Sequence, residues 1–209
     1  MPSVRGMGRD ADQFRPLPSF LFCSPVLYCK MNLYVKVGNF LDNIILTGMP
    51  GAGKSTVGVL LAKALGYQFL DVDLLIQERE GALLQEILDL QGTRAFLEAE
   101  ERAVLSLDCR HTVIAPGGSA VCREEAARRL GALGLMVYLN VPLEELLRRI
   151  RNMSSRGIAM EPGQTLADVL AYRDPLYRKY ANLVIDCPDG QPLAETAQLV
   201  RERLKQDGP

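Results

Sequence analysis

Histidine is scarce in this chain and its cysteines are not paired by spacing. His111 is the single histidine, and the five cysteines, Cys23, Cys29, Cys109, Cys122 and Cys187, form no CxxC. A structural zinc site takes about four nitrogen or sulfur ligands at regular spacing, so none is expected. An odd, scattered set of thiols reads as free side chains in a reducing compartment, which points to a cytoplasmic protein. Charge of one sign is also lacking: 24 Lys and Arg face 25 Asp and Glu, for a net charge of −1. That balance predicts no bulk electrostatic partner such as nucleic acid or a membrane surface. Any bound anion must be caught by local positive groups. No apolar run reaches the roughly 18 residues of a membrane span. The nearest, Leu17 to Tyr28, is short and is broken by Pro18 and Pro25.

What is present suffices for a core: 48% of the 209 residues are hydrophobic and 23% are charged. Residues 1–42 read as a poorly specified extension. Met31-Asn32-Leu33-Tyr34-Val35 is a more ordinary opening, and Met31 is an alternative start. From Asn43 to the C-terminus the pattern is that of one domain. Short apolar runs at Ile44–Leu46, Phe69–Leu70, Thr112–Ala115, Leu135–Leu139 and Leu183–Ile185 read as five strands. Between them lie helical patterns at Lys54–Leu65, residues 74–107 with breaks at Gly81 and Gly92, Cys122–Leu130, Leu143–Arg151, Leu166–Tyr180 and Pro192–Lys205. Pro175 is expected to kink or break its helix. Strictly alternating strands and helices give an α/β three-layer sandwich around a five-stranded parallel sheet. Ligands of such sheets sit beyond the carboxyl ends of the strands.

The first strand runs into Gly48-Met49-Pro50-Gly51-Ala52-Gly53-Lys54-Ser55, which fits GxxxxGK[ST], and Thr56 follows. Glycines let backbone N–H groups turn inward as an anion nest, and the helix from Lys54 adds its positive end. Lys54 reaches the outer phosphates of a nucleotide and the Ser55 hydroxyl can meet Mg2+. The strand before and the helix after are the context that this motif requires. ATP and magnesium are the expected cofactors, bound by Gly51, Ala52, Gly53, Lys54, Ser55 and Thr56.

Asp71 and Asp73 follow the second strand. Two residues apart on a strand, they share a face and are expected to point to the phosphate loop. One can hold magnesium, the role given to Asp71. The other, Asp73, can accept a hydrogen bond or a proton from an attacking hydroxyl. After the third strand, Gly117 and Gly118 let backbone approach a ligand closely. Phosphoryl transfer also needs positive charge over the migrating group. Arg156, in a glycine-containing loop over 152–164, is expected to close over ATP as a lid. Arg148 and Arg149 read as a solvated basic face. Arg173, before Asp174-Pro175-Leu176-Tyr177, is a natural clamp for an acidic acceptor, since a guanidinium grips a carboxylate with two hydrogen bonds.

Together these stretches resemble the shikimate kinase family over about residues 43–205. The resemblance rests on Gly48–Thr56, on Phe69–Asp73, on Gly92–Glu100, on Pro116–Ser119, on the Arg156 loop and on Arg173–Tyr177. It implies that Lys54 and Ser55 serve ATP and magnesium, and that Asp73 contacts the reacting hydroxyl of shikimate. It also implies that Gly117, Gly118 and Arg173 hold the acceptor and that Arg156 serves the phosphates. The catalytic set is then Lys54, Asp73 and Arg156, in a monomer acting on a small molecule. Three positions depart from the pattern. Leu97 stands where the family has an arginine that helps bind the shikimate carboxylate, Pro116 replaces the first of three glycines, and Gly157 replaces the proline after the lid arginine. A kinase of the same fold for a polyol, a sugar acid or an amino-acid-like acceptor is the alternative, and a nucleotide-binding module without turnover is the third.

Overall fold

The computed structural model describes residues 43–150, 158–160 and 163–206. The N-terminal extension, the Met31 start and the lid arginine Arg156 lie outside the described residues.

Five parallel strands form one sheet: β1 (Asn43–Thr47), β2 (Gln68–Asp71), β3 (Thr112–Ala115), β4 (Leu135–Asn140) and β5 (Leu183–Asp186), in the order β2-β3-β1-β4-β5. Every residue of β1 is buried, as expected of a central strand with neighbours on both edges and helices on both faces. Asn43 is the polar exception that fits: its Nδ2 donates to Cys109 O and Leu133 O, both at 2.8 Å, and its Oδ1 accepts from Thr112 N at 3.1 Å. Among the described residues seven helices flank the sheet: α1 (Lys54–Leu65), α2 (Val72–Glu80), α3 (Leu84–Leu105), α4 (Glu124–Leu133), α5 (Leu143–Ile150), α6 (Leu166–Tyr180) and α7 (Leu193–Gln206). Helices α1 and α7 pack together, with α1 on β2 and β3, whereas α4 and α6 pack on β4. The three-layer α/β architecture read from the sequence is therefore the one observed.

The strand order places the site. From β1 the chain crosses to β2 on one side, and from β3 it crosses back past β1 to β4. Loops leaving neighbouring strands in opposite directions open a crevice at their carboxyl ends. The loops after β1 and β3 are 48–53 and 116–119, the two glycine stretches singled out above.

Three local readings need correction. Asp71 and Asp73 do not share a strand face. Asp71 ends β2 and caps α2, its Oδ1 accepting from Asp73 N at 3.0 Å, so Asp73 sits in the first helical turn. A carboxylate there satisfies an otherwise open N–H and favours the helix end over further strand. The helix expected from Cys122 begins at Glu124, after a 3₁₀ turn at Ala120–Cys122. Finally, α6 runs through Pro175 without ending. Its start is fixed by Thr165 and Asp168, each accepting a hydrogen bond from the other's backbone N–H (3.2 and 2.9 Å), and its inner face is buried through Val169, Arg173 and Tyr177. Packing of that face outweighs one missing hydrogen bond.

Candidate active site

The loop after β1 is shaped by left-handed backbone. Gly51 and Gly53 have φ of 81° and 92°, and a Cβ on Gly53 would come within 2.5 Å of Leu193 Cδ2. A side chain there is excluded twice, by conformation and by α7. No side chain caps α1, so its first N–H groups face the mouth of the loop. Lys54 Nζ donates to Gly48 O at 2.9 Å and to Met49 O at 3.2 Å. Burial pulls its ammonium down to about 8, against the opposing pull of Asp73, Asp71 and Glu100. An anion arriving at the loop would raise it again and offset that cost.

One cleft is lined by Lys54, Ser55, Asp71, Asp73, Gly117, Gly118 and Arg173 together with Gly51 and Gly53. The loops after β1 and β3, the starts of α1 and α2, the end of β2 and helix α6 thus meet in a single space. Ala52 is buried behind the loop, its N–H donating to Met49 O at 3.1 Å. Thr56 is exposed on the first turn of α1 and does not line the cleft. Gly118 lies against the other loop: a Cβ there would meet Pro50 Cδ at 2.9 Å. Arg173 is buried, and its Nη2 donates to Ala159 O at 2.7 Å. Ile158 and Ala159 complete the wall.

Helix α6 braces both loops. The Tyr177 hydroxyl donates to Gly118 O at 2.5 Å and lies 3.9 Å from Met49 Sδ. Its ring stacks on Tyr138 at 4.9 Å, and the Tyr138 hydroxyl donates to Asp174 Oδ1 at 2.9 Å. The stretch Arg173-Asp174-Pro175-Leu176-Tyr177 therefore sends one side chain to the cleft and two to its supports.

Arg149 is a residue whose place the sequence reading missed. It is not on a solvated face: its side chain is 15% exposed, its Nε donates to Glu145 Oε1 at 2.6 Å, and its Nη1 reaches Ala52 O at 3.2 Å. Arg148 holds the other side of Glu145 at 2.6 and 2.7 Å, and the two guanidinium groups hold that carboxyl well below the usual range. Arg149 so ties α5 to the phosphate loop. Arg149→Ala should raise the dissociation constant for a fluorescent ATP analogue about tenfold, the net worth of a charge-assisted hydrogen bond of about 1.5 kcal/mol. Unchanged affinity would leave Arg149 as a brace of α5 alone.

Among the described residues no three His, Cys, Asp or Glu side chains cluster as a metal site. Cys187 is buried, Cys109 and Cys122 are half-buried, and burial pushes all three thiols up, away from the reactive thiolate.

A nucleotide-type anion nest, a lysine, two carboxylates and an arginine converging at the switch point of a parallel sheet define a small-molecule kinase of the P-loop class. The comparisons with known proteins narrow the class. The chain belongs to the shikimate kinase family: the family model for shikimate kinase matches residues 50–205. A shikimate kinase of Pseudomonas aeruginosa (strain LESB58) is 40% identical over 170 residues, which is 80% of this chain and 98% of that protein. One from Paracidovorax citrulli is 37% identical over 171 residues, covering 79% and 93% of the two chains. Among solved structures, shikimate kinase from Acinetobacter baumannii in complex with shikimate aligns with a TM-score of 0.74 at 34% identity, covering 80% of this chain and 95% of that one.

Proposed function

We propose that the protein transfers the γ-phosphoryl group of ATP to the 3-hydroxyl of shikimate, giving shikimate 3-phosphate and ADP. The observation that carries this reading is that Asp73 and Arg173 line the same cleft as Lys54 and Ser55. An acceptor held by Arg173 would bring a hydroxyl to Asp73 beside the phosphate nest. In this reading Arg173 grips the carboxylate of shikimate, and the loop at Gly117 and Gly118 closes on its ring. Asp73 accepts the hydroxyl proton as the oxygen attacks. The N–H groups at the start of α1 and the Lys54 ammonium, which leaves the Gly48 and Met49 carbonyls, stabilise charge on the phosphoryl oxygens. Arg156 is proposed to add charge from the loop outside the described residues.

A hydroxyl and a carboxylate, Ser55 and Asp71, both line the cleft, and this all-oxygen set fits magnesium, which keeps several waters and adds substrate phosphates rather than a protein cage. Those two residues would hold the ion, which when bound supplies positive charge over the outer phosphates. We further propose a cytoplasmic monomer with no nucleic-acid or membrane partner. Near-zero net charge supports the absence of a nucleic-acid partner, and no described helix is long and apolar enough to cross a membrane.

Coupled measurement of ADP release with ATP and magnesium, with and without millimolar shikimate, tests the activity. Strong stimulation by shikimate is the expected result. ATP binding without stimulation would favour the alternative of a different alcohol, for which the uncharged Leu97 is the supporting residue. Arg173→Ala should raise KM for shikimate roughly 10- to 100-fold, since a hydrogen bond to a charged group contributes about 1.5–3 kcal/mol. An equal rise in KM for ATP would instead make Arg173 a general support of the cleft.

A further inference from the structure

Behind the acceptor wall lies a carboxyl group that the proposed chemistry does not use. Glu100, on α3, is 0% exposed, and neither Oε1 nor Oε2 has a hydrogen-bond partner among the described residues. It sits directly behind Gly117: a Cβ on that glycine would overlap Glu100 Oε1 and come within 3.0 Å of Asp73 Oδ1. Two carboxyl groups thus bracket one glycine.

The charged and titratable groups facing Glu100 come from four places: Lys54 on α1, Asp73 on α2, Cys122 at the end of the 3₁₀ turn, and Arg173 and Tyr177 on α6. Neither cation pairs with it. Lys54 Nζ is held by Gly48 O and Met49 O, and Arg173 Nη2 by Ala159 O. One helical turn before Glu100, where side chains three residues apart meet, stands Leu97, half-buried and uncharged. A carboxyl with no cation beside it, and only the Ser119 hydroxyl near enough to pull against its proton, is stabilised by keeping that proton. Burial, joined by the Asp73 charge, lifts Glu100 to about 7, with the Ser119 hydroxyl, Arg173 and Lys54 opposing.

We propose that Glu100 is a positioning residue that carries a proton in the working enzyme, so that Asp73 alone is negative behind Gly117 and an anionic acceptor can enter. Ionisation of Glu100 places a second negative charge beside Asp73. It repels the acceptor carboxylate and drives the carboxyl toward water, through the Gly117 loop. This rests on the reading of Asp73 and Gly117 as the acceptor wall.

The proton is observable without any acceptor. In the full chain labelled with ¹³C at glutamate Cδ, one carboxyl resonance, absent from Glu100→Gln, should titrate near pH 7. Leu97→Arg, which brings a guanidinium to the same helix face, should move that midpoint below 5; it also assigns the resonance if Glu100→Gln does not fold. A Glu100 signal titrating with the surface glutamates near pH 4.5 overturns the proposal. In turnover, KM for shikimate should rise about tenfold between pH 6 and pH 8, as one ionisation near 7 requires, and Glu100→Gln should flatten that rise. An unaltered pH profile in Glu100→Gln also overturns it. A resonance titrating near 7 with no shikimate-dependent turnover at any pH would uphold the proton on Glu100 and sink the shikimate reading instead.

Discussion

Lys54→Ala should lower kcat by about a thousandfold, the scale found when one preorganised donor to a developing negative charge is removed. The same variant should melt higher than the parent at pH 7. Burial depresses the Lys54 ammonium from 10.5 to about 8, so the folded state holds the charged form at a cost that the unfolded chain does not carry. Between pH 8 and 10.5 the unfolded chain binds more protons, so the parent gains stability as pH rises through that window, and the alanine variant lacks the gain. Removing the ammonium also leaves the carbonyls of the buried Gly48 and Met49 without that donor, so the expected rise in melting temperature is the part of the burial cost that exceeds the loss of these two bonds. Turnover in a coupled assay and scanning calorimetry at pH 7 and pH 10 check both halves. Wild-type turnover would remove the phosphate-loop argument. Loss of the cooperative transition would make Lys54 a structural support.

The second large effect is expected at Asp73. Asp73→Asn keeps the size of the side chain and, because the cap of α2 is Asp71, keeps the start of the helix. It removes the carboxylate that would take the proton of the attacking hydroxyl, a role worth about 10²- to 10⁴-fold. The loss should fall on kcat, with KM for ATP little changed and the melting temperature preserved. Initial rates over both substrates separate these quantities. A kcat within twofold of the parent would leave Asp73 as a polar residue of the first helical turn and nothing more. The variant also removes the nearest negative charge from Glu100, so the ionisation of Glu100 should move down in the same protein.

The phosphate loop was legible in the sequence because its information is local: the glycines, Lys54 and Ser55 lie within eight consecutive residues between a strand and a helix. The five strands were legible for a related reason, since each is a short apolar run closed by polar or turn residues. What failed was information carried across the chain. Arg149 looked like a solvated basic residue because its partner carbonyls on Gly51 and Ala52 are 98 and 97 positions away. Glu100 was visible as a residue, but that it is buried without a partner follows only from the packing of α3 against the loop after β3. Asp73 was misplaced more narrowly. Val72 between two aspartates suits a strand, and only the bond from Asp73 N to Asp71 Oδ1 turns the chain into α2 one residue earlier. Pro175 shows the opposite imbalance, a strong local signal overruled by the buried face of α6.

The hydroxyl of Tyr177 touches Gly118 on one loop and Met49 on the other. A shift of either loop on ligand entry must therefore be negotiated with its neighbour through one side chain. The two sites then belong to a single thermodynamic cycle. Whatever factor ATP applies to the affinity for the acceptor, the acceptor applies the same factor to the affinity for ATP. A tyrosine wedged between the two loops thus helps set how strongly the two substrates feel each other.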